Sequence, residues 1–253
     1  MPTKITWTNE TWNPVVGCSP VSEGCENCYA AKMARRLALM GNAPHYQGIT
    51  NKHGYNGKIG IPSNKVLYSP LHWRQPRMIF VCSMGDLFHD KVPNRWIKYI
   101  FDIIDLCPQH TFQILTKRPE RMLEFFTKYG DPLPNVWLGV SAENQRRLNE
   151  RLSTLWQTPA YVRFLSLEPL LAPVVIQDAC PEWWESSGIN WVIVGCESGP
   201  GRRPCKIEWI ESVVNQCKKE VVHVFVKQLA IGGKVVRDIN QFPEHLRIRE
   251  YPK

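Results

Sequence analysis

Three cysteines lie close together near the start of the chain, within the segment VVGCSPVSEGCENCYA at residues 15–30. Cys18, Cys25 and Cys28 have the spacing C-x6-C-x2-C, and Tyr29 directly follows the last of them. Cysteine thiolates bind zinc and iron–sulfur clusters, and closed sites of both kinds usually take four ligands. A disulfide would use only two of the three thiols. The spacing therefore predicts a metal centre whose fourth ligand has to be explained.

Three kinds of metal site are compatible with this spacing. A zinc site would need a distant fourth ligand such as Cys196, Cys205 or a histidine. An electron-transfer [4Fe–4S] cluster would ordinarily take four cysteines. A [4Fe–4S] cluster held by three thiolates would leave one iron open to chelate S-adenosylmethionine (SAM), whose reductive cleavage yields a 5′-deoxyadenosyl radical. Three cysteines are what this last site requires, and the residues alone leave all three sites open.

The composition indicates a folded protein that is not secreted. The chain has 253 residues, of which 43% are hydrophobic, and it includes ten tryptophans, which predicts a substantial core. No apolar run reaches the length of a membrane span, and the start MPTKITWTNETW lacks the order of a signal peptide. We therefore expect a cytoplasmic protein without membrane association, in a compartment where thiols stay reduced. The remaining cysteines are scattered and are expected to be small core residues: Cys82, Cys107, Cys180, Cys196, Cys205 and Cys217.

Short apolar segments alternate with amphipathic segments along most of the chain. Strands are predicted at 12–17 (WNPVVG), 78–83, 111–116, 136–141, 161–168, 189–197 and 222–228, and helices are predicted between them. Continuous apolar strands that alternate with helices indicate a parallel sheet covered on both faces. The expected fold is α/β, a partial or complete (β/α) barrel of mostly parallel strands in a single domain over 1–253.

Two segments interrupt this alternation. Residues 41–77 are rich in glycine and asparagine and have no apolar period, which predicts a loop insertion. The insertion would be either a lid that contacts substrate or a disordered excursion, and its aromatic residues could stack on nucleic-acid bases. These are Tyr46, Tyr55, Tyr68 and Trp73. Residues 229–253 show no pattern and are expected to form an irregular tail.

Polar residues follow nearly every predicted strand. In a (β/α) barrel the carboxyl ends of the strands meet on one face, where the chemistry takes place. The cysteine loop follows the first predicted strand and would therefore lie on the same face. The residues at the other strand ends are Ser83, Gly85 and Asp86, then Lys117, then Ser141, Glu143 and Asn144, then Glu168, and then Glu197.

The cysteine loop with its aromatic residue resembles that of the radical SAM superfamily, although the first gap is longer than the usual C-x3-C-x2-C. A closer resemblance extends over nearly the whole chain. The segments WNPVVGCSPVSEGCENCYA, SMGDLFHDKVP, ILTKRPERM, LGVSAENQ, FLSLEPLL, VGCESGPGRRP and FVKQ are similar to those of a phage-type family of three-cysteine, radical-SAM-like proteins, the phage gene-product 37/68-like family. Members occur in phages and bacterial mobile elements.

This resemblance implies a radical SAM barrel and a role for each polar residue at the strand ends. Cys18, Cys25 and Cys28 would bind a [4Fe–4S] cluster, reduced by a donor such as a flavodoxin or ferredoxin. Contacts to SAM are expected from Tyr29, Ser83, Gly85, Asp86, Lys117, Ser141, Glu143 and Asn144. Catalytic candidates are Lys117, Glu168 and Glu197, which would bind substrate or exchange protons. Ser141 could instead cap a helix, with Glu143 near the positive end of its dipole.

The charge suggests the kind of substrate. The formal net charge is +8, and basic pairs recur at 35–36, 117–118, 146–147, 202–203 and 218–219. Several pairs would lie above the barrel mouth, so we expect a nucleic acid or nucleotide-like substrate that is modified or repaired. Two alternatives are a peptide or partner protein encoded beside the enzyme, and a non-catalytic binding module stabilised by zinc or an iron–sulfur cluster.

Overall fold

The strands form one large sheet and one small hairpin in a computed structural model, which describes residues 3–41, 43–130, 133–179 and 188–252. The sheet strands are β1 Glu10–Trp12, β4 Met78–Val81, β5 Thr111–Thr116, β6 Val136–Ser141, β7 Val162–Leu167, β8 Trp191–Gly195, β9 His223–Ile231 and β10 Lys234–Val236. The hairpin consists of β2 Thr50–Asn51 and β3 Gly54–Tyr55. The eight strands of the sheet are neighbours in the order in which they follow one another along the chain.

All pairings from β1 to β9 are parallel, and β10 is antiparallel to β9. The described helices are α1 Tyr29–Met40, α2 Asn64–Leu67, α3 Asn94–Asp105, α4 Pro119–Tyr129, α5 Gln145–Gln157, α6 Ile176–Ala179 and α7 Ile207–Lys219. None of these helices is long and apolar enough to span a membrane. The predicted α/β fold with a mostly parallel sheet is confirmed.

The two faces of the sheet are packed differently. Successive residues of a strand point to opposite faces. One face carries aliphatic residues such as Val81, Leu165 and Val192, which pack in the core that also contains the apolar sides of α3, α4, α5 and α7. The other face carries a cluster of large residues, Phe80, Phe164, Trp191, Ile193 and Phe225, closed by Trp7 from the chain's beginning. This aromatic cluster fills the space beneath the carboxyl ends of the strands.

The first strand differs from its prediction. It was expected at 12–17, but β1 ends at Trp12, where its register against Val81 ends. Pro14 has no backbone N–H to donate to a ladder. The following residues make only isolated bridges, Val16 with Gly60 and Gly17 with Gly85. The chain therefore leaves the sheet before the cysteines and enters a loop.

The insertion and the tail contain more regular structure than their sequences suggest. Tyr46, Ile49 and Tyr55 of the insertion are buried in a small core together with Val16 and one side of α1. The prediction of an irregular tail from 229 is wrong for 229–236, where β9 and β10 form a hairpin. Its turn is the pair Gly232 and Gly233, both with positive φ (55° and 72°), and positive φ at two central residues is typical of the tight turns that suit a hairpin.

We expect Gly139→Ala in β6 to destabilise the protein. A Cβ at this position would lie 2.6 Å from ring carbons of Phe164, which is fully buried in the aromatic cluster. Overpacking of this kind costs about 1–3 kcal/mol of unfolding free energy, measurable by urea denaturation. In a Phe164→Leu background, Gly139→Ala should cost less unfolding free energy than it does in the wild type, because the clashing ring is gone. Strictly additive effects in this double-mutant cycle would contradict the clash.

Candidate functional site

A cavity of about 350 Å³ lies at the carboxyl ends of the parallel strands. The three cysteines of the loop line it together with polar residues at the carboxyl ends of successive strands, Ser83, Lys117, Ser141, Glu168 and Glu197, and with Lys227 from within β9. Its floor includes Trp7, Phe80 and Leu115 from the aromatic face. The structure thus brings together residues more than 200 positions apart, because parallel strands all end on the same side of the sheet.

The cysteine loop folds over this cavity in a compact turn. Gly17 enters the loop at a φ of 93° and donates its N–H to the Met84 carbonyl at 3.0 Å. A short 3-10 turn at Glu23–Cys25 follows, and Cys28 precedes the first turn of α1. Gly85 packs closely beneath, because a Cβ there would meet the carbonyl oxygens of Gly17 and Val15 at 3.0 Å. This close approach accounts for a glycine at the position, and Gly85 also lines the cavity.

The thiols lie in a desolvated environment. Burial, and next the charge of Asp86, raises the pKa of the Cys18 thiol to about 12. Burial also raises the pKa of Cys28. Both side chains therefore hold their protons at neutral pH, and binding a metal through them releases those protons.

A site for a single metal ion such as zinc would need several ligand side chains close together. Among the residues that the structure describes, no group of three or more His, Cys, Asp or Glu side chains is arranged to hold a metal ion. Cys196 and Cys205, the distant cysteines considered as zinc ligands, do not line the cavity. Cys82 does line it, but this residue is 2% exposed in the turn after β4, and burial raises its pKa.

Arg118 holds the beginning of the long gap between the first two cysteines. Its Nη2 donates to the carbonyl and hydroxyl oxygens of Ser19 at 3.0 and 2.9 Å. Its Nη1 donates to Asp86 Oδ2 at 2.9 Å and contacts Cys18 Sγ at 3.4 Å. Asp86 Oδ1 also accepts from the Thr116 hydroxyl at 2.8 Å. The carboxylate predicted to bind SAM is therefore occupied by protein groups, although it lines the cavity.

Arg147 and Arg203 hold the end of the gap. Arg147 donates to Glu23 Oε2 through Nη2 and Nε at 2.9 and 3.1 Å. Hydrogen bonds from the backbone amide of Glu23, from Asn144 and from Arg147 lower the pKa of Glu23 to about 2. Arg203 Nη1 donates to the Glu23 carbonyl at 2.8 Å and to Glu26 Oε2 at 2.9 Å. Together with Arg118 these residues form what we call the arginine clamp (Arg118, Arg147 and Arg203).

Glu143 and Asn144 do not line the cavity, contrary to the expectation that they contact SAM. Glu143 is fully buried, pairs with Arg151 at 3.1 Å and accepts the Gly24 N–H at 3.1 Å. Asn144 is the N-cap of α5, with Oδ1 accepting from the Arg147 N–H at 3.0 Å. Both residues support the cysteine loop from below. The cap considered for Ser141 therefore belongs to Asn144.

The remaining predicted residues do line the cavity. Tyr29 donates its hydroxyl proton to the Ser83 carbonyl at 3.0 Å. The Ser141 hydroxyl donates to the Glu168 carbonyl at 3.3 Å. The Glu168 carboxylate accepts two hydrogen bonds from Lys227 Nζ, at 2.6 and 2.7 Å. Lys227 was not predicted as a site residue; it lies within β9, between Val226 and Gln228, where the register against the last residues of β8 shifts.

Glu197 is tied into the clamp. Burial alone would raise its pKa, but hydrogen bonds from Arg203 and Asn27 outweigh burial and lower it. Asn27 Nδ2 donates to Glu197 Oε2 at 3.0 Å and so joins the cysteine loop to the end of β8. Glu197 is therefore ionised and held in place at neutral pH.

In three of the recurring basic pairs, the second member turns inward. Arg118, Arg147 and Arg203 have side chains that are 8%, 19% and 26% exposed, whereas Arg146 is 76% exposed. These pairs were expected to face a polyanion. In each of these three pairs the second residue instead holds the cysteine loop, and no local sequence pattern distinguishes it from the first.

We expect Arg147→Ala to loosen the cysteine loop, with Arg146→Ala as the matched control. Arg146 is 76% exposed and pairs with Glu150 at 2.9 Å, rather than with the loop. Losing the Arg147–Glu23 pair costs up to about 1 kcal/mol, so the amides of 22–28 should exchange hydrogen about fivefold faster. Hydrogen-exchange mass spectrometry measures this. Equal exchange in the two variants would show that the clamp does not hold the loop.

The comparisons with known proteins give one match. The model of the DUF5131 family, described as a protein of unknown function, matches residues 2–244. No curated protein and no solved structure matches the chain. The match covers nearly all of the 253 residues, so the chain belongs to the DUF5131 family.

Proposed function

We propose that the protein is a radical SAM enzyme whose sheet is a partial (β/α) barrel of that type. Cys18, Cys25 and Cys28 would hold a [4Fe–4S] cluster with one open iron. The observation that carries the proposal is that these three thiols line one cavity with a polar residue from the end of nearly every parallel strand. The donor set fits such a cluster, because thiolates are its usual protein ligands.

When bound, the cluster and SAM supply a 5′-deoxyadenosyl radical: one electron from a cytoplasmic donor such as a flavodoxin or ferredoxin breaks the sulfonium bond and methionine leaves. The chain positions and shields this chemistry. Lys117 lines the cavity with no carboxylate partner in the described structure and is suited to the SAM carboxylate or a substrate phosphate. The aromatic floor excludes water from below.

Glu168 and Lys227 are suited to bind substrate or exchange protons. Their side chains are mostly buried, each 16% exposed, and they face the cavity as an ion pair. A substrate hydroxyl or amine that enters the cavity can replace one partner of the pair. Glu197, in contrast, is held by Arg203 and Asn27, which makes it a support of the loop rather than a free acid.

A nucleic acid is the substrate class that the charges favour. Each carboxylate that lines the cavity has a basic partner: Glu26 and Glu197 with Arg203, Asp86 with Arg118, and Glu168 with Lys227. Four basic residues that line it have no carboxylate partner in the part of the chain described: Lys32, Arg35, Lys52 and Lys117. The excess positive charge at the cavity suits a chain of phosphates.

The insertion contributes charge rather than stacking surfaces. Tyr46 and Tyr55 are buried, 6% and 7% exposed, so they are not the base-stacking residues that were expected. Tyr68 bonds to Tyr99, and Trp73 packs on His110. The hairpin turn instead brings Lys52 and His53, both exposed, to the cavity.

Anaerobic reconstitution tests the chemistry. We expect the wild-type protein to become brown, to bind four irons per chain as the [4Fe–4S] formula requires, and with dithionite to convert SAM to 5′-deoxyadenosine. Cys25→Ala should lose colour and cleavage, because the cluster loses one of its ligands. Cys82→Ala is the matched control and should keep both.

Two results would contradict the proposal. Stoichiometric zinc with no iron and no deoxyadenosine would support a binding module instead. Loss of the cluster in Cys82→Ala but not in Cys25→Ala would mean that the ligand set is wrong.

Fluorescence titration with a single-stranded oligonucleotide tests the substrate class. We expect binding that weakens as salt rises, because phosphate contacts release counterions. Lys52→Ala should reduce both the affinity and the salt slope, by about one unit of slope per lost contact. Lys218→Ala is the matched control, since Lys218 is exposed on α7 and does not line the cavity. Binding that is absent, or equally weakened in both variants, would favour a peptide or protein substrate.

A further inference from the structure

The three thiols of the cysteine loop do not have equivalent surroundings. In the described part of the chain, Arg118 is the one charged side chain that donates a hydrogen bond to any of them, with Nη1 at 3.4 Å from Cys18 Sγ. Cys25 Sγ has only the Ser22 hydroxyl, at 4.0 Å. The sulfur of Cys18 therefore lies beside a fixed positive charge that the other two do not contact.

The position of this guanidinium is held from several sides. Arg118 and Asp86 form an ion pair at 2.9 Å, with side chains only 8% and 7% exposed. The Arg118 backbone N–H donates to the Thr116 hydroxyl at 2.9 Å, and that hydroxyl donates to Asp86. Nη2 is bound to Ser19. Since water barely reaches the pair, its charges act on the nearby sulfur with little screening.

The charges of Arg118 and Asp86 both affect the free energy of adding an electron to a cluster bound through Cys18. Hydrogen bonds to the sulfurs and the local net charge are among the factors that set the reduction potential of an iron–sulfur cluster. A cation that donates to a ligand sulfur stabilises the reduced form, which carries one more negative charge. A carboxylate at the same place destabilises that form. Arg118 and Asp86 act on the same sulfur with opposite sign.

We propose that the Arg118–Asp86 pair sets the reduction potential of the cluster through Cys18, with Arg118 raising the potential and Asp86 limiting the rise. This inference rests on the proposed function. Arg118 is a positioning residue in this account, because it acts through the ligand Cys18 and through Ser19. Asp86, first considered as a SAM ligand, acts through Arg118.

A redox titration of the reconstituted protein, monitored by electron paramagnetic resonance, tests the inference. Arg118→Met removes the cation and the donor, so its potential should fall. Asp86→Asn keeps the arginine and removes the opposing charge, so its potential should rise. At a fixed applied potential we expect the ratio of reduced to oxidised cluster to change at least tenfold in each direction, which is about 59 mV for one electron. Arg118→Lys keeps the charge, so its reduction potential should lie between those of the wild type and Arg118→Met.

Arg121→Met is the control for general disturbance. Arg121 lies on α4, which Arg118 directly precedes, and donates to the carbonyls of His89 and Val92 rather than to a thiol. Its potential should match that of the wild type. Arg118→Met leaves Asp86 buried and unpaired and could therefore prevent folding. In that case Asp86→Asn is compared with the double variant Arg118→Met/Asp86→Asn. The reduction potential of the double variant should be lower than that of Asp86→Asn.

The outcomes separate this inference from the proposed function. If the wild type binds the cluster and cleaves SAM but the potentials of Arg118→Met and Asp86→Asn equal that of the wild type, only the role of the pair is overturned. Potentials that shift in the same direction in these two variants overturn it as well, because only the opposite charges of Arg118 and Asp86 predict shifts in opposite directions. If the wild type takes up no cluster, both proposals fail together.

Discussion

The arginine clamp is the interaction on which the cavity depends. The gap of six residues between Cys18 and Cys25 is too long to be held by the turn alone, and only a short 3-10 turn at its end is regular. Arg118, Arg147 and Arg203 each bond to backbone or side-chain oxygens of this gap. They come from the ends of β5 and β8 and from α5, so the loop is fixed to the scaffold at three places.

Each arginine of the clamp is also paired with a carboxylate of the scaffold or of the loop. Arg118 pairs with Asp86, Arg203 with Glu197, and Arg147 with Glu23. The Arg118–Asp86 pair is buried, and removing one member of a buried pair leaves an uncompensated charge, which is why such a pair tolerates substitution poorly. The clamp as a whole gives the cysteine loop a defined shape. A site with a defined shape loses less entropy when its ligand arrives.

The insertion forms part of the wall of the cavity. Its hairpin lines one side, while Tyr55 donates its hydroxyl proton to the Met84 carbonyl at 2.7 Å and is buried against α1. Gly60 bonds to Val16 and so fixes the middle of the insertion to the segment that leads into the cysteines. The composition of the segment obscured this, because isolated bridges and single buried aromatic residues leave no periodic pattern.

The sequence by itself determined the features that depend on local pattern. Alternating apolar and amphipathic segments predicted the parallel sheet, and all of the site residues predicted at the strand ends except Glu143 and Asn144 line the cavity. The tertiary structure alone decided which partner each of these side chains has. Glu143 and Asp86 looked equivalent to Glu168 in sequence, yet buried arginines pair with the first two, whereas Glu168 pairs with Lys227 at the cavity. The hydrogen bonds of the arginine clamp join Arg118 to Ser19, and Arg147 and Arg203 to Glu23, over 99, 124 and 180 positions. Contacts over such separations arise only when the sheet brings the strand ends together, so no local pattern records them.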